Sequence, residues 1–230
     1  MRLIFILLCA CACLAAADPP WQAVQGTKPW FTQLHAKHKT DAAAAAAGSG
    51  FDVVFFGDSI TAYWSKHDVL WQAMTSGLHA ANFGVPSDRT QEMLWRIGDG
   101  EFSGLKPRLI VVMAGTNNIS ARDSDDDIVH GVKAVIAALH DTCPGSTILL
   151  LGVLPMGNSP SPSRDKVAAL NAKLSGLTHG KDVQFLDFGA GLIGSDGTIS
   201  KDMLCDGVHP GDAGYQLWAR AMAPVMAQLH

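Results

Sequence analysis

Charge is scarce in this chain. Only 17% of its 230 residues are ionised at neutral pH, and nowhere do lysine and arginine gather into a block. With a formal net charge of −4, it offers no basic surface for a nucleic acid. Beyond residue 17 it also lacks an apolar run long enough to span a bilayer, and it contains no internal repeat. Hydrophobic residues make up 48%, so the low charge belongs to a globular composition rather than to disorder. At this length one well-buried domain is expected, or two small ones at most.

Cysteine is scarcer than the count of five implies. Cys9, Cys11 and Cys13 all lie in the opening MRLIFILLCACACLAAA, which reads as a secretory leader. Arg2 is its positive end, Leu3 to Leu14 its apolar stretch, and Ala15 to Ala17 supply small residues for cleavage. That stretch is short for a membrane span and no stop-transfer pattern follows, so stable membrane insertion is not expected. The residues before each cysteine match a lipoprotein signal poorly. Cleavage after Ala17 would leave 213 residues, remove one positive charge and give a secreted or periplasmic protein with a net charge of −5. An oxidising compartment would let Cys143 and Cys205 pair. One follows a helix and the other precedes the C-terminal motif, at opposite ends of the sheet inferred below, so two separate thiols are expected.

What the sequence does have is regular alternation. Residues 18–50 are irregular: a helix is predicted near Trp30–Lys39, then come Asp41, six alanines and Gly48, a natural helix stop or the edge of a spacer. From residue 51 onward, apolar runs at 52–56, 80–83, 108–114, 147–153 and 183–187 have strand length and strand composition. Helical periods separate them. Ile128, Val132, Val135, Ile136 and Leu139 share one face, as do Val167, Leu170, Leu174 and Leu177, and the last helix carries Tyr215, Trp218, Met222, Val225 and Leu229. Such alternation means parallel strands joined by right-handed crossovers. The unbroken hydrophobicity of 108–114 and 147–153 means a sheet covered on both faces. A single three-layer α/β domain with five parallel strands is therefore expected, with ligands at the carboxyl ends of the strands.

Those strand ends carry the chemistry. The first is followed by Gly57-Asp58-Ser59-Ile60-Thr61, where Ser59 would sit in a first helical turn, beside free N–H groups that favour negative charge. Taken alone, Asp58 or Ser59 is equally well a simple N-cap. The second strand runs into Asn82-Phe83-Gly84-Val85-Pro86-Ser87-Asp88-Arg89-Thr90, where Gly84 lets backbone approach a bound group. The third leads to Gly115-Thr116-Asn117-Asn118, and the Asn117 amide could donate to an oxyanion. After the fifth, CDGVHPGDAGY sets Asp206 three residues before His209, a spacing that lets a carboxylate orient an imidazole. Jointly these are a nucleophile, a base, an orienter and oxyanion donors, the inventory for acyl transfer. The other eight histidines read as solvated or packed. Asp123-Ser124-Asp125-Asp126-Asp127 lacks the glycine and distal glutamate of a calcium loop and reads as the acidic start of a helix. Met93, Trp95, Trp218 and Met222 read as core, and Trp64 and Trp71 as candidate walls of the site. No metal or cofactor is expected.

These same residues resemble the GDSL/SGNH hydrolases, serine esterases on a flavodoxin-like three-layer α/β/α fold. Four blocks match in order: GDSIT with Ser59, Gly84 in NFGVPSDRT, Asn117 in GTNN, and DGVHP with Asp206 and His209. Ile60 stands where the family's name has leucine. The segments NFGVPSDRTQEMLWRIGDGEFSGLKPRLIVVMAGTNN and LLGVLPMGNSPSPSRDKVAALNAKL are similar to its platelet-activating factor acetylhydrolase subunits and to related bacterial acetylesterases. The resemblance runs from about Trp30 to the C-terminus. It implies a leader (1–17), an N-terminal extension and helix (18–50) and an SGNH hydrolase domain (51–230). It implies catalytic Ser59, Asp206 and His209, with the Ser59 and Gly84 N–H groups and Asn117 as the oxyanion hole. The missing glycine two residues after the serine excludes the nucleophile elbow of an α/β-hydrolase. The expected activity is that of a secreted esterase removing short acyl groups, acetyl above all, from a carbohydrate. Alternatives are a lipid acetylhydrolase or lysophospholipase-type lipase, a non-catalytic glycan-binding relative, and a flavodoxin-like nucleotide binder. The acetylhydrolase members form dimers, but nothing in one chain identifies a homodimer interface.

Overall fold

The computed structural model describes residues 18–230, so the expected leader lies outside the described residues. Five strands form one sheet: β1 (Val53–Gly57), β2 (Ala80–Gly84), β3 (Leu109–Met113), β4 (Thr147–Leu151) and β5 (Val183–Leu186). All neighbours are parallel, in the order β2-β1-β3-β4-β5. The first crossover goes to one side of β1 and the next to the other, so a topological switch point falls between β1 and β3. Ser59 follows β1 directly.

Alternation along the strands feeds two cores. Val54, Phe56, Ile110, Val112, Ile148 and Leu150 face one side, where α1 (Pro29–Ala47), α4 (Thr90–Gly98), α6 (Asp125–Thr142) and α7 (Pro162–Ser175) pack. Val53, Phe55, Leu109, Val111, Leu149 and Leu151 face the other, covered by α2 (Ser59–Ala62), α3 (Asp68–Met74) and α8 (Asp212–Met226). Burial on both faces explains the unbroken apolar runs of β1 and β3, every residue of which is buried, while the edge strands β2 and β5 are only partly covered. A short α5 (Thr116–Ser120) follows β3.

Two features of the N-terminal part sharpen the expectation. The alanine run is no spacer: α1 continues through it to Ala47 and is capped at Gly48. Its buried face is Phe31, His35, His38 and Ala42, a helical spacing that carries histidine where leucine is usual. Residues 18–26, read as irregular, are nonetheless anchored. The Thr90 hydroxyl donates to the Pro20 carbonyl at 2.7 Å, the Gln91 amide to the Asp18 carbonyl at 2.9 Å, and Trp21 stacks on His130.

Candidate active site

β1 ends in Gly57 because the next turn leaves no room for a side chain. A Cβ there would lie 2.4 Å from Thr61 Oγ1 and 2.6 Å from the Met113 carbonyl oxygen. The chain then enters α2, with Asp58 as N-cap, its Oδ1 accepting the Ile60 N–H at 2.9 Å. Ser59 takes the first helical position. Its N–H has no acceptor among the described residues, as a first-turn donor must unless something caps it. Tyr215 on α8 donates to the Ile60 carbonyl at 2.7 Å, tying this short helix to the far core.

The loop before α8 brings the imidazole to the serine. Ser59 Oγ lies 2.9 Å from His209 Nε2, and His209 Nδ1 lies 2.7 Å from Asp206 Oδ2. Asp206 Oδ1 also accepts the backbone N–H groups of Val208 and His209. Burial works against the charge on Asp206, but these two N–H groups and the imidazole outweigh it and hold the carboxyl below its ordinary value. With the carboxylate on Nδ1, the Nδ1–H tautomer is favoured and Nε2 is free to accept from the serine hydroxyl.

Asn117 and Gly84 reach the site in unequal ways. Gly115, at φ +119, turns β3 into α5 and presents the Asn117 amide. Its Nδ2 donates to the Asp88 carbonyl at 2.9 Å and to Asp58 Oδ2 at 3.2 Å. The Gly84 N–H, expected to be a free donor, is already engaged by Asn82 Oδ1 at 2.9 Å. Glycine is needed at this position for another reason. A Cβ would lie 2.2 Å from the Ala62 nitrogen, so the absence of a side chain lets β2 and α2 touch.

Behind the Asn117 acceptor lies a buried charge cluster. Arg96, fully buried, bonds Asp88 Oδ2 at 2.7 Å, the Phe83 carbonyl at 2.5 Å and both oxygens of Glu101. Glu101 also receives His35 at 2.6 Å and His38 at 3.2 Å from α1. Burial disfavours the Glu101 charge, yet the guanidinium and the two imidazoles hold its carboxyl far below the ordinary value. Burial also opposes the His35 cation, but its bonds to Glu101 and Asp99 prevail and raise its pKa; for His38, burial prevails and lowers it. Arg96 thus clamps the end of β2 to the Val85–Asp88 turn, in which Ser87 adopts φ +73. Neither histidine stood out in the sequence, because their partner is more than 60 residues away.

The remaining expected residues sort themselves. Trp64 is fully buried in the second core and Trp71 packs on Phe55, so neither lines the site. The aromatic beside the imidazole is Tyr63, 5.1 Å from the His209 ring, four residues after Ser59 and hence on the next turn. Ser124 caps α6 with the Asp127 N–H, and no three-acid or histidine cluster fit for a metal occurs among the described residues. Cys143 is a buried thiol, pushed up to about 11 by burial, and Cys205 is an exposed one. A cavity of about 1050 Å³ lies between α1 and the Tyr63–Lys66 turn and is lined by Tyr63 and Gly84 but not by Ser59, Asp206 or His209. A smaller one of about 520 Å³ is lined by His209, Asp206 and Tyr63.

A five-stranded parallel sheet in this order, with Ser59, His209 and Asp206 in one bonded line at its carboxyl end, defines an SGNH-type hydrolase architecture. The sequence comparisons agree. Residues 55–217 match the GDSL-like lipase/acylhydrolase family, and the chain belongs to that family. It is a hydrolase acting on esters. It is 34% identical over 219 residues to platelet-activating factor acetylhydrolase IB subunit alpha1 of Rattus norvegicus, covering 94% of this chain and 90% of that protein. To the human alpha2 subunit it is 33% identical over 216 residues, covering 94% and 91%. Among solved structures, a GDSL-like lipase from Bacteroides thetaiotaomicron superposes with a TM-score of 0.70 at 21% identity, over 85% of this chain and 98% of the other. An acetylxylan esterase from Geobacillus stearothermophilus gives 0.58 at 18% identity, over 78% and 95%.

Proposed function

We propose that the protein is a secreted esterase that removes short acyl groups, acetyl foremost, from carbohydrate by a Ser59–His209–Asp206 mechanism. The observation that carries the mechanism is the unbroken line from Ser59 Oγ to His209 Nε2 and from Nδ1 to Asp206. Ser59 Oγ attacks the ester carbonyl while Nε2 takes its proton, and Asp206 holds the ring and balances the imidazolium. The tetrahedral oxyanion is met by the Ser59 N–H and the Asn117 amide, each such donor being worth about 10²–10³ in rate. Gly84 contributes its N–H only where Asn82 Oδ1 gives it up. Collapse expels the alcohol, which takes the proton from Nε2, and water hydrolyses the acyl-serine by the same steps in reverse.

The expectation of secretion rests on residues 1–17; among the described residues, no helix is long and apolar enough to cross a membrane. A second reading, a lipid acetyl ester as substrate, is favoured by the name and coverage of the acetylhydrolase relatives. The fold-level likeness to an acetylxylan esterase favours carbohydrate.

The test is ester hydrolysis by the purified protein. With p-nitrophenyl acetate, Ser59→Ala is expected to lose about 10⁴-fold or more in kcat; equal rates for variant and wild type would end the mechanism. A nitrophenyl series is expected to peak at C2–C4, and a maximum at C8 or longer would rule out the acetyl preference. Acetate release from acetylated xylan against release from a phospholipid acetyl ester decides between the two substrates.

A further inference from the structure

The Asn117 amide has two N–H groups, and both are taken: one by the Asp88 carbonyl at 2.9 Å, the other by Asp58 Oδ2 at 3.2 Å. An oxyanion on the Ser59 ester therefore gains no hydrogen bond from this amide unless one of the two is released. The acceptors are not equivalent. The Asp88 carbonyl belongs to the turn whose side chain is clamped by the buried Arg96, and its bond is the shorter. Asp58 is adjacent to the nucleophile, and its bond to Asn117 is the longer. Its other oxygen accepts the Ile60 N–H at 2.9 Å, so the carboxyl cannot turn to follow the amide.

We propose that Asp58 is a positioning residue for ester hydrolysis: it holds the Asn117 amide in the resting enzyme and surrenders that N–H to the oxyanion as the tetrahedral intermediate forms. The inference rests on the reading of Asn117 as an oxyanion donor. Without Asp58, one N–H of the amide would lack a buried acceptor and the side chain would be free to turn toward any other. With it, the donor waits in place, and attack exchanges one carboxylate partner for an oxyanion. Asp58 itself is 1% exposed; burial lifts its pKa to about 6, and the Ile60 N–H, which it keeps throughout, favours the charged form. The plain alternative is that Asp58 serves only as the cap of α2, acting through Ile60 and not through Asn117.

A double-mutant cycle separates the two. Asp58→Asn keeps an oxygen for the Ile60 N–H but turns an NH₂ group toward the Asn117 amide. With p-nitrophenyl acetate, this variant is expected to lose about 10-fold in kcat with KM within about twofold, the size of effect seen for coupled neighbours. In an Asn117→Ala background the same change is expected to cost less than about twofold. Equal losses in both backgrounds, or wild-type kcat for the single variant, would overturn the proposal. If Asn117→Ala alone retains full activity, the oxyanion assignment and this proposal fall together, while the Ser59→Ala result stands apart. Should Asp58→Asn not fold, as judged by circular dichroism and Tm, Asp58→Ser retains a capping hydroxyl and is expected to show the same non-additivity.

Discussion

A glycine can be required for its N–H, for its conformation or for the space where its side chain is missing, and Gly84 belongs to the third kind. The Ala62 backbone occupies the place of its Cβ, and its N–H already has a partner in Asn82. Gly84→Ala would leave the N–H intact but push β2 off α2. Overpacking of this sort costs about 1–3 kcal/mol, and the strain falls on the helix that carries Ser59. The variant is expected to lose both Tm and kcat. A variant with wild-type Tm would show that glycine is not required here for space. Tyr63 makes a related point: four residues after Ser59 and against His209, it is in reach of helix geometry, whereas Trp64 and Trp71 were candidates only for following the Ser59 turn.

At the scale of elements, the role of α1 is out of proportion to its sequence. It is rich in alanine and has no apolar stripe, yet it supplies His35 and His38 to Glu101 and thereby fixes Arg96 against the Asp88 turn. Replacing Glu101 by Gln leaves a buried guanidinium underneutralised, at a cost of about 3–5 kcal/mol. Because the folded-state pKa of Glu101 is depressed, its stabilisation is fully present above the ordinary glutamate value of 4.5 and is lost as pH falls from there toward the depressed value. The Tm gap between wild type and Glu101→Gln is thus expected to widen as pH falls from 8 toward 6.5, where the His35 cation held by Glu101 forms, and to narrow below pH 4.5 as Glu101 takes up its proton, as measured by thermal melts. A gap that goes on widening below pH 4.5 would exclude this account. The strands and the helices α6, α7 and α8 were legible because periodicity is a local property. The charge cluster was not, since its members lie on α1, the turn after β2 and the end of α4, and only the fold adjoins them.

On the scale of the whole molecule, the chain begins its described part by strapping itself across α4 and α6. Pro20, Asp18 and Trp21 together make two hydrogen bonds and one aromatic stack there. Removing residues 18–26 is expected to cost about 2–4 kcal/mol, summing such contacts at their usual values. For a domain of this size that lowers Tm by roughly 5–15 °C, with the secondary structure unchanged by circular dichroism. An unchanged Tm would show the strap to be dispensable. The sequence reads as irregular here, and two of the three anchors are backbone carbonyls, which every sequence has.

The sheet order sets the two halves of the Ser59–His209–Asp206 line in regions of different permanence. Ser59 opens α2 two residues beyond β1, an interior strand paired along its whole length on both sides and buried on both faces. His209 and Asp206 ride on a connection between β5 and α8, with Asp206 more than half exposed. Amide hydrogens of the first kind exchange only when the whole domain opens, whereas those of the second follow local fluctuations of far lower free energy. On the proposed mechanism, heat or denaturant is therefore expected to extinguish catalysis by loosening the His209 connection before the sheet gives way.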